Sequence, residues 1–338
     1  MSSPAIPLPF SAFRRSFIAT GLFGGLLLAV IWGGLGVLPW PSAAVFYGIP
    51  AVEDEHPETA ERWLQVKDWS INEASGMAMS GRYSKCLWLH NDSGDQPRLF
   101  LVGDTGTTRA VLSLDNVEAT DWEDMCSFRS GETSWLLVGD FGDNSGNRGT
   151  ERPGCRLWLF PEPELPLPHE NAQPLRHTLR PTIEVRLTWP GGARDCESVA
   201  VDAEGGQILL CTKAKASAAA VHRIPLDLQT KVQVREAELV CALAVPYATA
   251  MDISPDGKRL AIVNPLSGVL FEKSADQTWA EVLTTPPQVL TLPPRAQGET
   301  ACFEPDSATL LVGSEGRWQN IWRVHLQAPA PPAETGSR

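Results

Sequence analysis

A strand-turn-strand unit recurs five times along this chain. Its clearest copy runs from Asp121 to Asn147, with a short first strand, a turn, a strongly hydrophobic second strand, and a loop rich in Asp and Asn. The same order of features begins again at four other points, near Asn72, Asp195, Ala248 and Gly298. One such unit cannot bury its hydrophobic face alone, so the copies must pack on one another. The sequence therefore predicts a repeat protein.

The spacing of the copies predicts a β-propeller. Equivalent first-strand positions fall at 73, 123, 197, 249 and 299, and a four-stranded propeller blade takes about 40 to 50 residues. The longest interval contains a proline-rich stretch, Pro161 to Pro174, which we interpret as an excursion from the ring. The 28 Gly and 28 Pro residues favour short strands and tight turns over long helices. We expect an all-β fold with five blades over residues 63–326, with six blades or a β-sandwich as the alternatives.

The two ends of the repeat region predict how the ring closes. The last copy stops at its third strand near Leu326, and the stretch from Trp63 to Ile71 alternates as a strand does. We expect this N-terminal strand to complete the last blade. Residues 327–338 have no hydrophobic pattern and are expected to be disordered.

The first 62 residues differ in composition from the repeats. Residues 17–38 contain no charged side chain, and as a helix they would span about 33 Å, enough to cross a bilayer. Arg14 and Arg15 precede this run, which predicts that residues 1–16 are cytoplasmic and that the body is extracytoplasmic (periplasmic). We expect a single-pass transmembrane signal anchor in the inner (plasma) membrane, followed by a linker over residues 39–62. A cleaved signal peptide is the alternative, because Ser42-Ala43-Ala44 would serve as a cleavage site.

The net charge of the chain bears on its binding partners, and its cysteines bear on disulfide formation. The formal net charge of −12 argues against nucleic acid, because phosphate binding needs clustered Lys and Arg. The same acidity is compatible with cations. Seven Cys in an exported chain permit disulfides, but Cys126 and Cys302 each lie three residues after an aligned Glu, which favours small buried strand residues instead.

Aligning the five copies places acidic side chains on the axis of the predicted ring. The residues that share one register are Glu123, Glu197, Thr249 and Glu299. In the first copy the position is taken by Glu73 or, allowing a bulge, by Ser75. Three converging carboxylates raise one another's pKa values unless a cation neutralises them, and a ring of oxygen ligands suits calcium better than zinc. We predict a calcium ion there; the alternative is a set of glutamates that cap loops or line a wet channel.

The starts of the five inner strands read EAS, WED, CES, ATA and GET. This pattern resembles the five-bladed propeller of the calcium-activated nucleotidases, the apyrase family, in which Ser and Glu side chains from the five inner strands hold one central calcium. The resemblance implies five ligands, with Thr249 standing where that family has Ser: Ser75, Glu123, Glu197, Thr249 and Glu299. The loop NDSG, from Asn91 to Gly94, is also similar to a DDxTG-like segment of that family.

Four longer motifs, HNDSGD, DWED, GDFGDN and QGE, carry a second resemblance. They are similar to those of a family of uncharacterised exported bacterial β-propellers. That likeness implies the architecture and says little about activity.

A second polar tier follows the hydrophobic second strands, at the end of the propeller where ligands usually bind. The candidate ligand-binding residues are Asn91, Asp92, Asp140, Asp143, Asn144, Lys213, Asn264 and Glu315. Turn chemistry is the simpler explanation, since Asp, Asn and Gly are the residues that tight turns require. The functional explanation is a polar mouth for a small molecule or a protein ligand, bound directly or through a metal.

Hydrolysis at this mouth would need a cation that polarises the substrate and a base that activates water. The candidate bases are His90, Asp92, Asp140 and Asp143. Only Lys213, Arg148 and Arg194 are placed to contact phosphate groups. Two functions stay open: a calcium-binding propeller that serves as a ligand-binding or scaffold module, and a calcium-dependent hydrolase of nucleotides or other phosphoesters.

Overall fold

The computed structural model describes residues 59–149, 154–169, 172–214 and 219–326. Within these ranges the chain forms 22 strands and one short helix. No helix in them is both long and apolar enough to cross a membrane. The predicted cytoplasmic segment, the transmembrane helix at residues 17–38, the linker up to residue 58 and the tail from residue 327 lie outside the described residues.

The strands form five sheets, which we number as blades in chain order. Blade 1 contains β2 (Ala74–Met79), β3 (Cys86–Asn91), β4 (Arg98–Gly103) and β5 (Thr108–Leu114). Blade 2 contains β6 (Trp122–Ser130), β7 (Thr133–Asp140), β8 (Arg156–Pro161) and β10 (Ile183–Thr188). Blade 3 contains β11 (Cys196–Asp202), β12 (Gln207–Thr212), β13 (Ala219–Pro225) and β15 (Glu238–Leu243). Blade 4 contains β16 (Ala250–Ile253), β17 (Arg259–Val263), β18 (Gly268–Glu272) and β19 (Gln288–Leu290), with helix α1 (Trp279–Val282) before its last strand. Blade 5 contains β20 (Thr300–Phe303), β21 (Thr309–Gly313), β22 (Asn320–His325) and β1 (Ala60–Gln65).

The first strand of each blade lies at the centre of the ring. Strand β2 contacts β6, β6 contacts β11, β11 contacts β16, β16 contacts β20, and β20 returns to β2. This closed circuit confirms the predicted five-bladed propeller. Because each inner strand is packed on both sides, β2 and β11 are buried along their whole length, and hydrophobic clusters fill the spaces between neighbouring blades.

The ring closes through the N-terminal strand, as the sequence predicts. Strand β1 pairs with β22 in antiparallel register, with Ala60 opposite Val324 and Gln65 opposite Asn320. The strand begins three residues earlier than predicted and ends at Gln65 rather than at Ile71. The apolar side chains of Val66 and Ile71 instead pack in the cluster between blades 5 and 1, which explains why their alternation resembles a strand.

Two long connections each add a fifth strand to the preceding blade. The proline-rich stretch leads to β9 (Leu175–Leu179), which pairs in parallel with β5 at the edge of blade 1. A second excursion, from blade 3, leads to β14 (Val232–Glu236), which pairs in parallel with β10 of blade 2. Blade 2 is thereby linked to blade 1, and blade 3 to blade 2.

Buried carboxylates connect neighbouring blades. Glu162 follows β8 and accepts hydrogen bonds from Ser134 Oγ of blade 2 (2.8 Å) and from Trp88 Nε1 of blade 1 (2.8 Å). On the axis, Asp124 Oδ2 of β6 accepts the backbone N–H groups of Val199 (2.9 Å) and Met251 (3.2 Å). These bonds hold the inner strands β6, β11 and β16 together one residue beyond Glu123.

Candidate functional site

A cavity of about 170 Å³ lies where the inner strands begin. Eight polar or charged side chains line it: Asp92, Glu123, Asn144, Glu197, Lys213, Gln297, Glu299 and Glu315. Five of these are carboxylates and one is an ammonium group. The volume exceeds the roughly 30 Å³ that one water molecule occupies in the liquid, so an ion with part of its hydration shell fits.

The cavity brings together the three glutamates that share a register in the repeats. Glu123, Glu197 and Glu299 all line it, and each is less than 7% exposed. They converge because they occupy equivalent positions at the starts of inner strands that surround one axis. The structure therefore brings together the three carboxylates of the predicted calcium site.

A repeated backbone irregularity directs these side chains. The antiparallel register shifts between Ala74 and Gly76, between Trp122 and Met125, and between Cys196 and Ser198. Ser75, Glu123 and Glu197 lie within these three bulges, and β-bulges commonly redirect side chains next to functional sites. The bulge that the sequence alignment allowed at Ser75 is thus present in three blades.

The hydroxyl groups of the predicted ring make contacts between blades. Ser75 Oγ donates to the backbone carbonyl of Glu123, and its distance to Glu123 Oε2 is 3.3 Å. Thr249 Oγ1 donates to the carbonyl of Gly298 (2.9 Å). Neither residue lines the cavity. Their assignment as metal ligands stays a prediction.

Burial and mutual repulsion perturb the glutamates. Burial, together with the neighbouring carboxylate of Glu197, raises the pKa of Glu123 well above its usual range. Burial also raises the pKa of Glu197 to about 8, although the ammonium group of Lys213 opposes the shift. Burial raises the pKa of Glu315 to about 7, with Glu299 and Asp92 contributing. With all of its carboxylates ionised, the cavity would therefore hold more negative charge than the surrounding groups stabilise.

Lys213 is the cation within this acidic cavity. Its Nζ atom lies 2.9 Å from Glu197 Oε1, and its backbone N–H donates to the carbonyl of Asp195 (2.9 Å) at the start of blade 3. Burial opposes the charge of Lys213, but Glu197 outweighs it and, with Glu299 and Glu123, raises the pKa of the ammonium group. The side chain is 19% exposed.

Three carboxylates meet more closely at one side of the cavity. Asp92, Asp121 and Glu123 each offer an oxygen, and these oxygens lie within 4.8 Å of one another. An ion that binds oxygens at about 2.3–2.6 Å fits between them. Sequence reasoning missed Asp121, although its place in DWED, two residues before Glu123, was a usable signal. Gly142 makes the cluster possible, because a Cβ atom there would lie 2.1 Å from Glu123 Oε1.

Asp140 and Asp143 organise the loop that follows β7. Asp140 Oδ1 accepts from Arg148 Nη2 (2.8 Å) and from the backbone N–H of Asp121 (3.0 Å). Asp143 accepts the backbone N–H groups of Asn147 (2.9 Å) and Arg148 (3.2 Å). Both carboxylates are buried and neither lines the cavity. Their contacts match the simpler explanation by turn chemistry, and Asp140 also holds the backbone of Asp121 in place.

Some of the remaining predicted residues are buried or bonded to loop backbone, and others line the cavity. Asn91 accepts from the backbone N–H groups of residues 72 and 73, and Asn264 accepts from those of residues 266 and 267. His90 is fully buried against Trp122, and burial lowers its pKa to about 4. Asn144 and Glu315 reach the cavity, as does Gln297, which sequence reasoning missed. Gln297 Nε2 donates to the carboxylate of Glu315.

No protein-family model and no curated protein matches this chain. Solved structures similar to it include a glucose dehydrogenase with 12% identity and a TM-score of 0.43, covering 80% of this chain and 100% of that one. A soluble aldose sugar dehydrogenase from Escherichia coli, in the apo-form, has 11% identity and a TM-score of 0.42, with 79% and 99% of the two chains covered. XC5397, a gluconolactonase from Xanthomonas campestris, has 10% identity and a TM-score of 0.42, with 79% and 89% covered. Similarity at this level carries no argument about the chemistry of the cavity.

Proposed function

We propose that this chain is a membrane-anchored extracytoplasmic propeller that binds calcium in the axial cavity and acts as a ligand-binding or scaffold module. One observation carries the proposal: among the described residues, five carboxylates and a single ammonium group line a cavity on the propeller axis. Buried carboxylates of this kind are stabilised by a cation, because otherwise they must take up protons. Membrane anchoring is proposed from the apolar run at residues 17–38.

The donor set fits calcium. No His or Cys side chain of the described residues lines the cavity, and all its carboxylates are hard oxygen donors. Glu123, Glu197 and Glu299 would hold the ion, with Asp92 and Asp121 on one side. Calcium accepts 6–8 oxygens in loose geometry, so water completes the shell. Bound calcium would neutralise the carboxylates and fix the mouth that surrounds them. The resemblance to the calcium-activated nucleotidases supports the same assignment.

Calorimetric titration of the full-length protein with calcium tests this proposal. We expect heat of binding and a rise in melting temperature, both weakened in Glu123→Gln. The amide has nearly the same shape as the carboxylate but carries no negative charge. Glu238→Gln is the matched control, because Glu238 pairs with Arg223 on the exposed surface of blade 3. If the wild-type protein does not bind calcium, the proposal is refuted.

The alternative function is a calcium-dependent hydrolase of nucleotides or other phosphoesters. Asp92 favours it, because Asp92 lines the cavity and burial raises its pKa, as a base that activates water requires. The arginines weaken it: Arg148 is buried against Asp140, and Arg194 donates to the carbonyl of Pro190. Neither lines the cavity.

Phosphate release from nucleotides, with and without a chelator, separates the two functions. Calcium-dependent release that is lost in Asp92→Asn would establish the hydrolase. If no phosphate is released under either condition, the hydrolase is excluded and the binding module remains the proposed function.

A further inference from the structure

The ammonium group of Lys213 lies against one of the three glutamates of the proposed calcium site. Its Nζ atom is 2.9 Å from Glu197 Oε1, and Glu299 and Glu123 line the same cavity. Lys213 is also the sole cationic side chain among the described residues that line the cavity.

The backbone places Lys213 there. Lys213 follows directly after β12. The hydrogen bond from its backbone N–H to the carbonyl of Asp195 fixes its Cα beside the start of β11. Glu197 lies two residues after Asp195, so the side chain of Lys213 reaches it by extending across its own blade. The carboxylate of Glu197 and the ammonium group therefore belong to one blade, whereas Glu123 comes from blade 2 and Glu299 directly precedes the first strand of blade 5.

A divalent ion coordinated by Glu197 would lie within a few ångströms of this ammonium group if the side chain stayed in place. Two cations at that distance repel strongly in a buried site. The stem of Lys213 is flexible and its side chain is 19% exposed, so the ammonium group has a route outward to water.

We infer that Lys213 is a tethered competitor for the divalent cation: it neutralises Glu197 in the metal-free protein and leaves the ring when calcium binds. This inference rests on the proposed calcium site. Its consequence is an affinity weaker than the carboxylates alone would give, so the site fills only at higher calcium concentrations. The metal-free propeller in turn keeps its buried glutamates partly neutralised.

The test is calcium titration of the full-length wild-type protein, Lys213→Gln, Lys213→Arg and Lys231→Gln. The glutamine at position 213 keeps a hydrogen-bond donor toward Glu197 without the positive charge. The arginine keeps the charge. Lys231→Gln changes the net charge of the protein equally at an exposed position, so it controls for long-range electrostatics.

We expect Lys213→Gln to bind calcium at least tenfold more tightly than the wild type, with Lys213→Arg and Lys231→Gln showing no gain. In chelator, Lys213→Gln should melt below the wild type, and calcium should restore it. Binding by Lys213→Gln with none by the wild type overturns the inference together with the proposed function, because the lysine would then block the cavity instead of exchanging with calcium.

Equal or weaker binding by Lys213→Gln than by a calcium-binding wild type overturns the inference and leaves the calcium site standing. No binding by either protein overturns both. If Lys213→Gln does not fold, Lys213→Arg decides: a gain in affinity with the charge retained contradicts the competition.

Discussion

Replacing Gly142 by alanine is the most selective way to disturb the carboxylate cluster. A Cβ atom at Gly142 would lie 2.1 Å from Glu123 Oε1 and 2.9 Å from Asp121 Cγ. Ordinary contact begins near 3.4 Å, so the Glu123 carboxylate must move by about 1.3 Å, since close-packed interiors do not tolerate such overlap. The backbone of Gly142 is not in the left-handed region, and its N–H bond to the carbonyl of Asp121 is retained. The alanine therefore moves the ligand without straining the chain.

The expected result is a calcium affinity 10- to 100-fold weaker than wild type. Residues that position metal ligands lower affinity by about this factor when they are changed, which corresponds to about 1.4–2.7 kcal/mol. Isothermal titration measures the affinity, and chemical unfolding in chelator measures the stability of the metal-free protein. That stability should fall by about 1–3 kcal/mol, because packed atoms around the new methyl group must move to relieve the overlap.

Gly154→Ala is the matched control. Gly154 also lies outside the left-handed region, and a Cβ atom there meets no described atom within 4 Å. Its calcium affinity should equal that of the wild type. An unchanged affinity in Gly142→Ala, with the wild type binding calcium, would refute the placement of the ion beside Glu123.

Three further perturbations test the fold and its charges. Glu162→Ala should destabilise the protein by about 3 kcal/mol or more in urea unfolding, because it leaves Trp88 Nε1 and Ser134 Oγ buried without their acceptor; destabilisation no larger than that of an exposed Glu238→Ala would argue against the link between blades 1 and 2. In chelator, stability should fall as pH rises from about 5 to about 7, because burial raises the pKa of Glu315 from 4.5 to about 7 and the unfolded chain releases that proton first. The rise in melting temperature with calcium should therefore be larger at pH 8 than at pH 5, and the opposite order would contradict the assignment. Deleting residues 1–65 should abolish cooperative thermal unfolding, because β22 loses its partner β1; a cooperative transition would show that the ring closes without it.

The repeat made the fold predictable, because every blade repeats one hydrophobic pattern and a ring is the arrangement that buries all copies equally. The strands β9 and β14 were not predictable from that pattern. They pair in parallel with the preceding blade, and their outward-facing residues are exposed, including Val232 and Val234. Periodicity reports burial, so an edge strand with exposed apolar side chains carries little signal.

The site was predictable where it depends on register and unpredictable where it depends on loop contacts. Glu123, Glu197 and Glu299 converge because the inner strands around the axis start at equivalent positions of the repeat. Asp140 and Asp121 look alike in sequence, yet one is held by Arg148 while the other joins the cluster around Glu123. That difference arises from how the loop after β7 folds, which the type and spacing of the acidic residues do not specify.

The most direct measurement is a crystal structure of the protein grown with calcium, with the anomalous signal of the ion recorded. We expect one strong peak in the axial cavity, coordinated by oxygens of Glu123, Glu197 and Glu299, with Lys213 Nζ moved away from Glu197. Saturating calcium with no peak in the cavity, or a peak bound only at the outer loops, would contradict it.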